Sequence, residues 1–191
     1  MADQTPKKPA VIILDMAKGY GWAPGSFGYE MVAQVRKLKD AAYAAGVQVL
    51  HVNSMRRPTD NSGDSSPMRA GTSDLDVIPE LHPIDKDIIV YKRHFSGFSH
   101  NDLDYTLRTM GVDLVIIAGA STDNTVLWTA ADAYQCRYKV CVVEDCTMVH
   151  RQQEPPGAKE GALRIIRTVL RGDVTPLAEV EAKYLRKEAY V

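Results

Sequence analysis

Short apolar runs alternate with longer segments of helical spacing along this chain. The runs AVIIL (10–14), VQVLHV (47–52), DIIVY (87–91), DLVIIAG (113–119) and YKVCVVED (138–145) are nearly unbroken and rich in β-branched residues. Strands covered on both faces read this way, so the five runs predict a buried, mostly parallel sheet. Between them YEMVAQVRKLKDAAYAAG, NDLDYTLRTMG, NTVLWTAADAYQC and PGAKEGALRIIRTVLRG carry apolar residues at three- and four-residue intervals, the period of an amphipathic helix. Gly46, Gly111 and Gly172 stand where helix C-terminal glycines belong. The alternation predicts an α/β fold, a three-layer α/β/α sandwich with right-handed crossovers. It is expected to form a single domain over residues 1–191, with residues 1–8 flexible.

Two segments depart from the alternation. NSMRRPTDNSGDSSPMRAGTSD (53–74) is too long for a simple connection and is expected to be a loop over the active site or a subunit contact. The tail PLAEVEAKYLRKEAYV (176–191) is amphipathic and is expected to pack on a neighbouring subunit.

Composition narrows the function classes. Across 191 residues, 45% are hydrophobic and 25% charged, as in an ordinary globular domain able to bury about 70% of its unfolded surface. The formal charge is −1 and the basic residues are scattered among acids, which argues against a nucleic-acid partner. Cys136, Cys141 and Cys146 form no CxxC pair, so neither a zinc site nor a disulfide framework is expected. The first residues lack the apolar run of a signal peptide, and no segment is long enough to span a bilayer. A reducing cytoplasm is the expected location, with no membrane partner.

In an open parallel sheet, ligands gather beyond the carboxyl ends of the strands. The first run delivers Asp15 there with four apolar residues behind it, a partly desolvated carboxylate suited to acid–base work. The third delivers Lys92, an ammonium able to pair with Asp15. The fourth ends in IIAGASTDNT, and a helix is expected to begin about Asn124, with backbone N–H groups of its first turn available to an oxyanion. Ser121, Thr122 and Asp123 are also good capping residues, and the two roles are compatible.

ILDM with Asp15, VYKRHFSGF with Lys92, and LVIIAGASTDNTVLWTAADAY followed by YKVCVVEDC together resemble the isochorismatase-like hydrolases in order, spacing and flanking strands, over roughly residues 9 to 175. The resemblance implies the isochorismatase-like (Rossmann-like) fold and a homodimer or homotetramer. It also implies thioester chemistry in cysteine members, in which an Asp (here Asp15) takes the thiol proton and a Lys (here Lys92) stabilises the thiolate. A non-proline cis peptide between Ala120 and Ser121 is implied too, with Ala120, Ser121 and Thr125 forming the oxyanion loop. The family pattern G-x-x-T-D-x-C-V is matched by Gly119, Thr122, Asp123 and Val126, but Thr125 falls on the cysteine.

That substitution leaves four readings of a C–N hydrolase scaffold. Thr125 stands in for a replaced cysteine nucleophile; or it is itself a weak nucleophile or orients water, with Asp15 as base. Alternatively Asp15 is the general acid of vinyl-ether cleavage and no covalent nucleophile is needed, or the chain is a catalytically inactive binding form. Cleavage of a small amide or ureido substrate ranks first, because vinyl-ether cleavers of the family read HDMQ where this chain reads LDMA. Tyr20, Trp22, His94 and Phe98 are expected to bind substrate. Trp128 is expected in the core or a subunit contact, and Cys146 in the core. His51 and Asn53 lack the His-x-His or Asp-x-His of metal-dependent relatives, so no metal and no cofactor are expected.

Overall fold

The computed structural model describes residues 8–57, 59–60, 68–149 and 156–186. The flexible lead expected for residues 1–8 therefore lies outside them except for Lys8, as do Pro58 and residues 61–67 of the long loop. Six strands lie among the described residues: β1 (Pro9–Leu14), β2 (Gln48–Ser54), β3 (Ile88–Lys92), β4 (Leu114–Ala120), β5 (Lys139–Met148) and β6 (Asp173–Thr175). The helices are α1 (Glu30–Ala44), α2 (Leu103–Thr109), α3 (Leu127–Gln135), α4 (Ala158–Thr168) and α5 (Leu177–Tyr184). The strands form one sheet in the order β3-β2-β1-β4-β5-β6, and every pairing is parallel.

The unbroken apolar runs of the central strands are explained by cover on both faces, whereas β3, at the sheet edge, leaves Ile89 and Tyr91 exposed, which corrects the expectation for that run. Along β1, Val11 and Ile13 pack with Val35 and Leu38 of α1 and Val180 of α5. The alternate residues Ala10, Ile12 and Leu14 pack with Leu107 of α2, Ala130 of α3 and Ile166 of α4. Each fully buried Ile or Leu contributes about 1.5–3 kcal/mol relative to exposure, so the central strands carry most of the sheet's apolar driving force. At the end of α1, Gly46 takes φ +72° and lets the Val47 N–H donate back to Ala42 O at 2.9 Å, closing the helix.

Three further expectations are corrected. A sixth strand, β6, extends the sheet; with only Asp173, Val174 and Thr175 it is too short to show a period. The described part of the tail, up to Arg186, turns its apolar stripe inward, with Leu177 and Val180 of α5 buried in this chain's own core against α1 and β5, while residues 187–191 lie outside the described residues. The long irregular stretch is shorter than it looks, since Asn53 and Ser54 belong to β2.

β1 lies between β2 and β4, so the chain winds outward from β1 to β3 and then returns to start the other half at β4. Such a reversal opens a crevice beyond the carboxyl ends of the two central strands. Asp15 follows β1 directly, on the lip of that crevice.

Candidate active site

Asp15 sits in the left-handed backbone region, with φ +55°. Among L-residues, Asp and Asn reach this region most readily, and the turn sends the carboxylate inward instead of along the strand. Two bonds hold the turn: the Asp15 N–H donates to Val52 O at 3.1 Å, and the Trp22 Nε1–H donates to Asp15 O at 3.1 Å. The carboxylate is 5% exposed and receives three further donors. Ser54 N–H reaches Oδ1 at 2.8 Å, while Lys92 Nζ at 2.8 Å and the Thr125 hydroxyl at 3.1 Å both reach Oδ2.

Lys92 leaves the end of β3 and is 1% exposed. Its ammonium donates to Asp15 Oδ2, to Ser54 Oγ at 2.7 Å and to His94 O at 3.2 Å, so all three N–H groups are engaged. Ser54 is thus a full member of the cluster, and it escaped the sequence reading. It is the last residue of β2, in register with Lys92 on β3, and only that register brings its N–H and hydroxyl beside Asp15. The Tyr20 hydroxyl lies in hydrogen-bonding range of Ser54 and Asp15; burial and the Asp15 charge push its pKa up, with Ser54 and the Arg56 charge opposing.

Thr125 arrives from β4. Gly119 pairs with Leu14 and has φ +108°, and a Cβ there would stand 2.1 Å from Leu14 O. Only glycine lets β4 approach the end of β1 so closely. The chain then passes through Ala120–Ser121, where the peptide bond is cis, into a π-helical turn from Thr122 to Val126. The N–H groups of Asn124 and Val126 both donate to Ser121 O, at 3.2 and 3.0 Å. The regular helix expected from Asn124 starts only at Leu127. The wider turn is short and specific to this point, as π turns at functional sites usually are. It leaves Thr125 buried, 6% exposed, with its hydroxyl on Asp15.

The expected substrate contacts divide. Tyr20 belongs to the cluster, whereas Trp22 is 6% exposed, packs in the α1-side core and supports the Asp15 backbone. Phe98 is partly buried and packs against the core on the opposite side of the sheet, its ring centroid 5.9 Å from that of Tyr138. His94 offers its carbonyl to Lys92 while its ring is exposed, edge-on to His100 at 5.7 Å. Trp128 is 53% exposed and is therefore not in this chain's core.

The thiols take no part in this arrangement. Cys141 and Cys146 are fully buried, and burial pushes both thiols well above their ordinary range. His51 lies in the layer under α1, where its Nε2 stands 3.4 Å from Asp87 Oδ2. Among the described residues, no three His, Cys, Asp or Glu side chains gather as a metal-binding group. What the cluster does hold is a hydroxyl, a carboxylate able to accept its proton, and an ammonium fixing that carboxylate, the arrangement of an activated nucleophile or an oriented water.

Known proteins share this architecture. Ureidoacrylate amidohydrolase RutB of Methylorubrum extorquens is 28% identical over 94% of this chain and 84% of its own length. The structure of N-carbamoylsarcosine amidase from Thermoplasma acidophilum superposes with a TM-score of 0.76 at 28% identity, covering 89% of this chain and 96% of that one. A cysteine hydrolase from Pseudomonas syringae pv. phaseolicola gives 0.79 at 29% identity, covering 96% and 94%. The isochorismatase domain model matches residues 9–165, which span β1 through most of α4. With β1 to β5, the Asp15 turn and the Gly119 approach all inside that match, the chain belongs to the isochorismatase family.

Proposed function

We propose that this chain hydrolyses a C–N bond in a small amide or ureido compound. The observation that carries the reading is the Thr125 hydroxyl 3.1 Å from Asp15 Oδ2 inside a buried ion pair with Lys92. Relatives named ureidoacrylate amidohydrolase and N-carbamoylsarcosine amidase support the substrate class.

In the proposed reaction Asp15 Oδ2 takes the hydroxyl proton as Thr125 Oγ1 bonds to the substrate carbonyl carbon. The carbonyl electron pair moves onto oxygen, and N–H groups of the Ala120–Ser121 and Thr125 turn hold the oxyanion. Collapse breaks the C–N bond, the leaving nitrogen takes the proton from Asp15, and an ester remains on Thr125. Water, deprotonated by Asp15, then releases the acid and restores the hydroxyl. Lys92 remains the fixed counter-ion throughout.

The surroundings of Asp15 support the base role over the general-acid role of vinyl-ether cleavage. Ser54 N–H, the Lys92 ammonium and the Thr125 hydroxyl all donate to the carboxylate, as suits its ionised form. The reading includes a single domain acting in the cytoplasm as a homodimer or homotetramer, without a cofactor. Exposed Tyr105 and Trp128 supply apolar surface for subunit contact.

The test is ammonia release from a panel of ureido and primary-amide compounds by the wild-type chain, Thr125→Cys and Asp15→Asn. Turnover by the wild type or by Thr125→Cys, lost in Asp15→Asn, is expected. A gain confined to Thr125→Cys identifies the position as a vacant nucleophile site. No turnover by either, with tight ligand binding kept, overturns the enzymatic reading in favour of a binding protein.

A further inference from the structure

β5 is irregular beside the site. Ile117 of β4 faces Val142, yet Gly119 faces Thr147 and Ala120 faces Met148, so β5 bulges between Val142 and Thr147. A bulge takes backbone groups out of the ladder, and those groups need other partners. Here the carbonyls of Glu144 and Thr147 both accept from Lys159 Nζ, at 2.8 and 2.7 Å. On the other side of the sheet, Asp145 Oδ1 accepts from the N–H of Leu177, the first residue of α5, at 2.8 Å.

Lys159 is the second residue of α4, whose preceding residue Gly157 has φ +85°. A cation in the first turn of a helix faces the positive end of the peptide dipoles, so helix formation alone disfavours lysine there. Its two carbonyl bonds give the position a different purpose. They fix the bulge, and beyond the bulge Thr147 and Met148 pair with Gly119 and Ala120, which lead directly into Ser121 and the turn carrying Thr125.

We infer that Lys159 is a positioning residue for the reaction: by clamping the β5 bulge it sets where the Ala120–Ser121 turn and Thr125 stand relative to Asp15. Its hydrogen bonds go to Glu144 and Thr147 and not to Asp15 or Thr125, so it acts through Thr147 and Met148. The inference rests on the hydrolase reading for its catalytic consequence and on the hydrogen bonds alone for its structural one.

Two measurements on Lys159→Met and Lys159→Arg test it. The first is steady-state kinetics on whichever ureido or amide compound the wild type or Thr125→Cys turns over, with the Lys159 variants made in that same background. Displacement of the turn by an ångström lowers kcat by about 10²-fold in Lys159→Met with KM within about twofold, and Lys159→Arg, which keeps two donors, recovers most of the loss. Equal kcat in Lys159→Met, or a loss that follows only the melting temperature, overturns the inference. The second is backbone amide exchange, which needs no turnover. Faster exchange in Lys159→Met confined to residues 119–126 and 144–148 supports the clamp; no change there, or acceleration spread over the whole sheet, overturns it. If no compound is turned over while the local exchange effect is present, the hydrolase reading fails and the clamp stands.

Discussion

Lys92 Nζ lies 2.8 Å from Asp15 Oδ2 where the two side chains are 1% and 6% exposed, so each charge depends on the other for its solvation. Removing one partner leaves the second buried and unpaired, at a cost of about 3–5 kcal/mol. Lys92→Met and Asp15→Asn should each lose stability of this order in urea unfolding at pH 7. The double variant should lose markedly less than the two together, because it strands no charge. Additive losses would show that the pair is not mutually dependent.

Gly119→Ala tests the approach of β4 to β1. Its φ of +108° disfavours any side chain, and the new Cβ would stand 2.1 Å from Leu14 O. Left-handed strain and overpacking together should cost about 2–5 kcal/mol. A melting temperature within a degree of wild type would contradict the geometry.

His51 gives stability a defined pH dependence. It is 1% exposed, and burial pushes its pKa down to about 4 against the attraction of Asp87. In the unfolded chain a histidine titrates near 6.5, so between about 6.5 and 4 the unfolded state binds more protons than the folded one. The contribution of His51 is complete above about pH 6.5 and is lost as pH falls toward 4. Urea unfolding at pH 7.5, 5.5 and 4.5 should show a smaller decline in His51→Leu than in wild type. Parallel declines would exclude a neutral buried imidazole.

The three cysteines should differ in reactivity. Burial raises all three thiols, but Cys141 and Cys146 are fully buried, whereas Cys136 is partly exposed at the end of α3. An aromatic disulfide reagent at pH 8 should label one thiol per folded chain and three in denaturant. Rapid labelling of Cys146 in the folded chain would place it in the crevice instead of the core.

The frame of the fold was legible because β1 to β5 are continuous apolar runs, and in β1 and β4 residues at alternating positions meet a helix layer on either side; β3 reads the same yet is an edge strand with Ile89 and Tyr91 exposed. β6 was not, since three residues carry no period. The tail was read as amphipathic, but pattern alone does not say whether an apolar stripe faces its own core or another chain. Asp15 and Lys92 were legible as polar residues at strand ends. Ser54 was hidden because its role comes from strand register, and Ser is common at strand exits. Trp22 and Phe98 mislead because an aromatic residue after a strand looks the same whether it folds back against the core or stays at the mouth. Thr125 stood out only by resemblance, since its π-helical turn leaves no mark in the spacing.

The interacting groups of the cluster arrive on four separate strands, with Asp15, Ser54 and Lys92 all preceding α2 and Thr125 following β4. The link between these two sets is the short turn from Met110 to Asp113 that leaves α2. A backbone cut there would divide the molecule into one piece with the ion pair and its hydroxyl neighbour, and another with the Thr125 hydroxyl and the turn that presents it. Neither piece holds a complete set, so the cluster exists only where the two halves of the chain are packed together along β1 and β4.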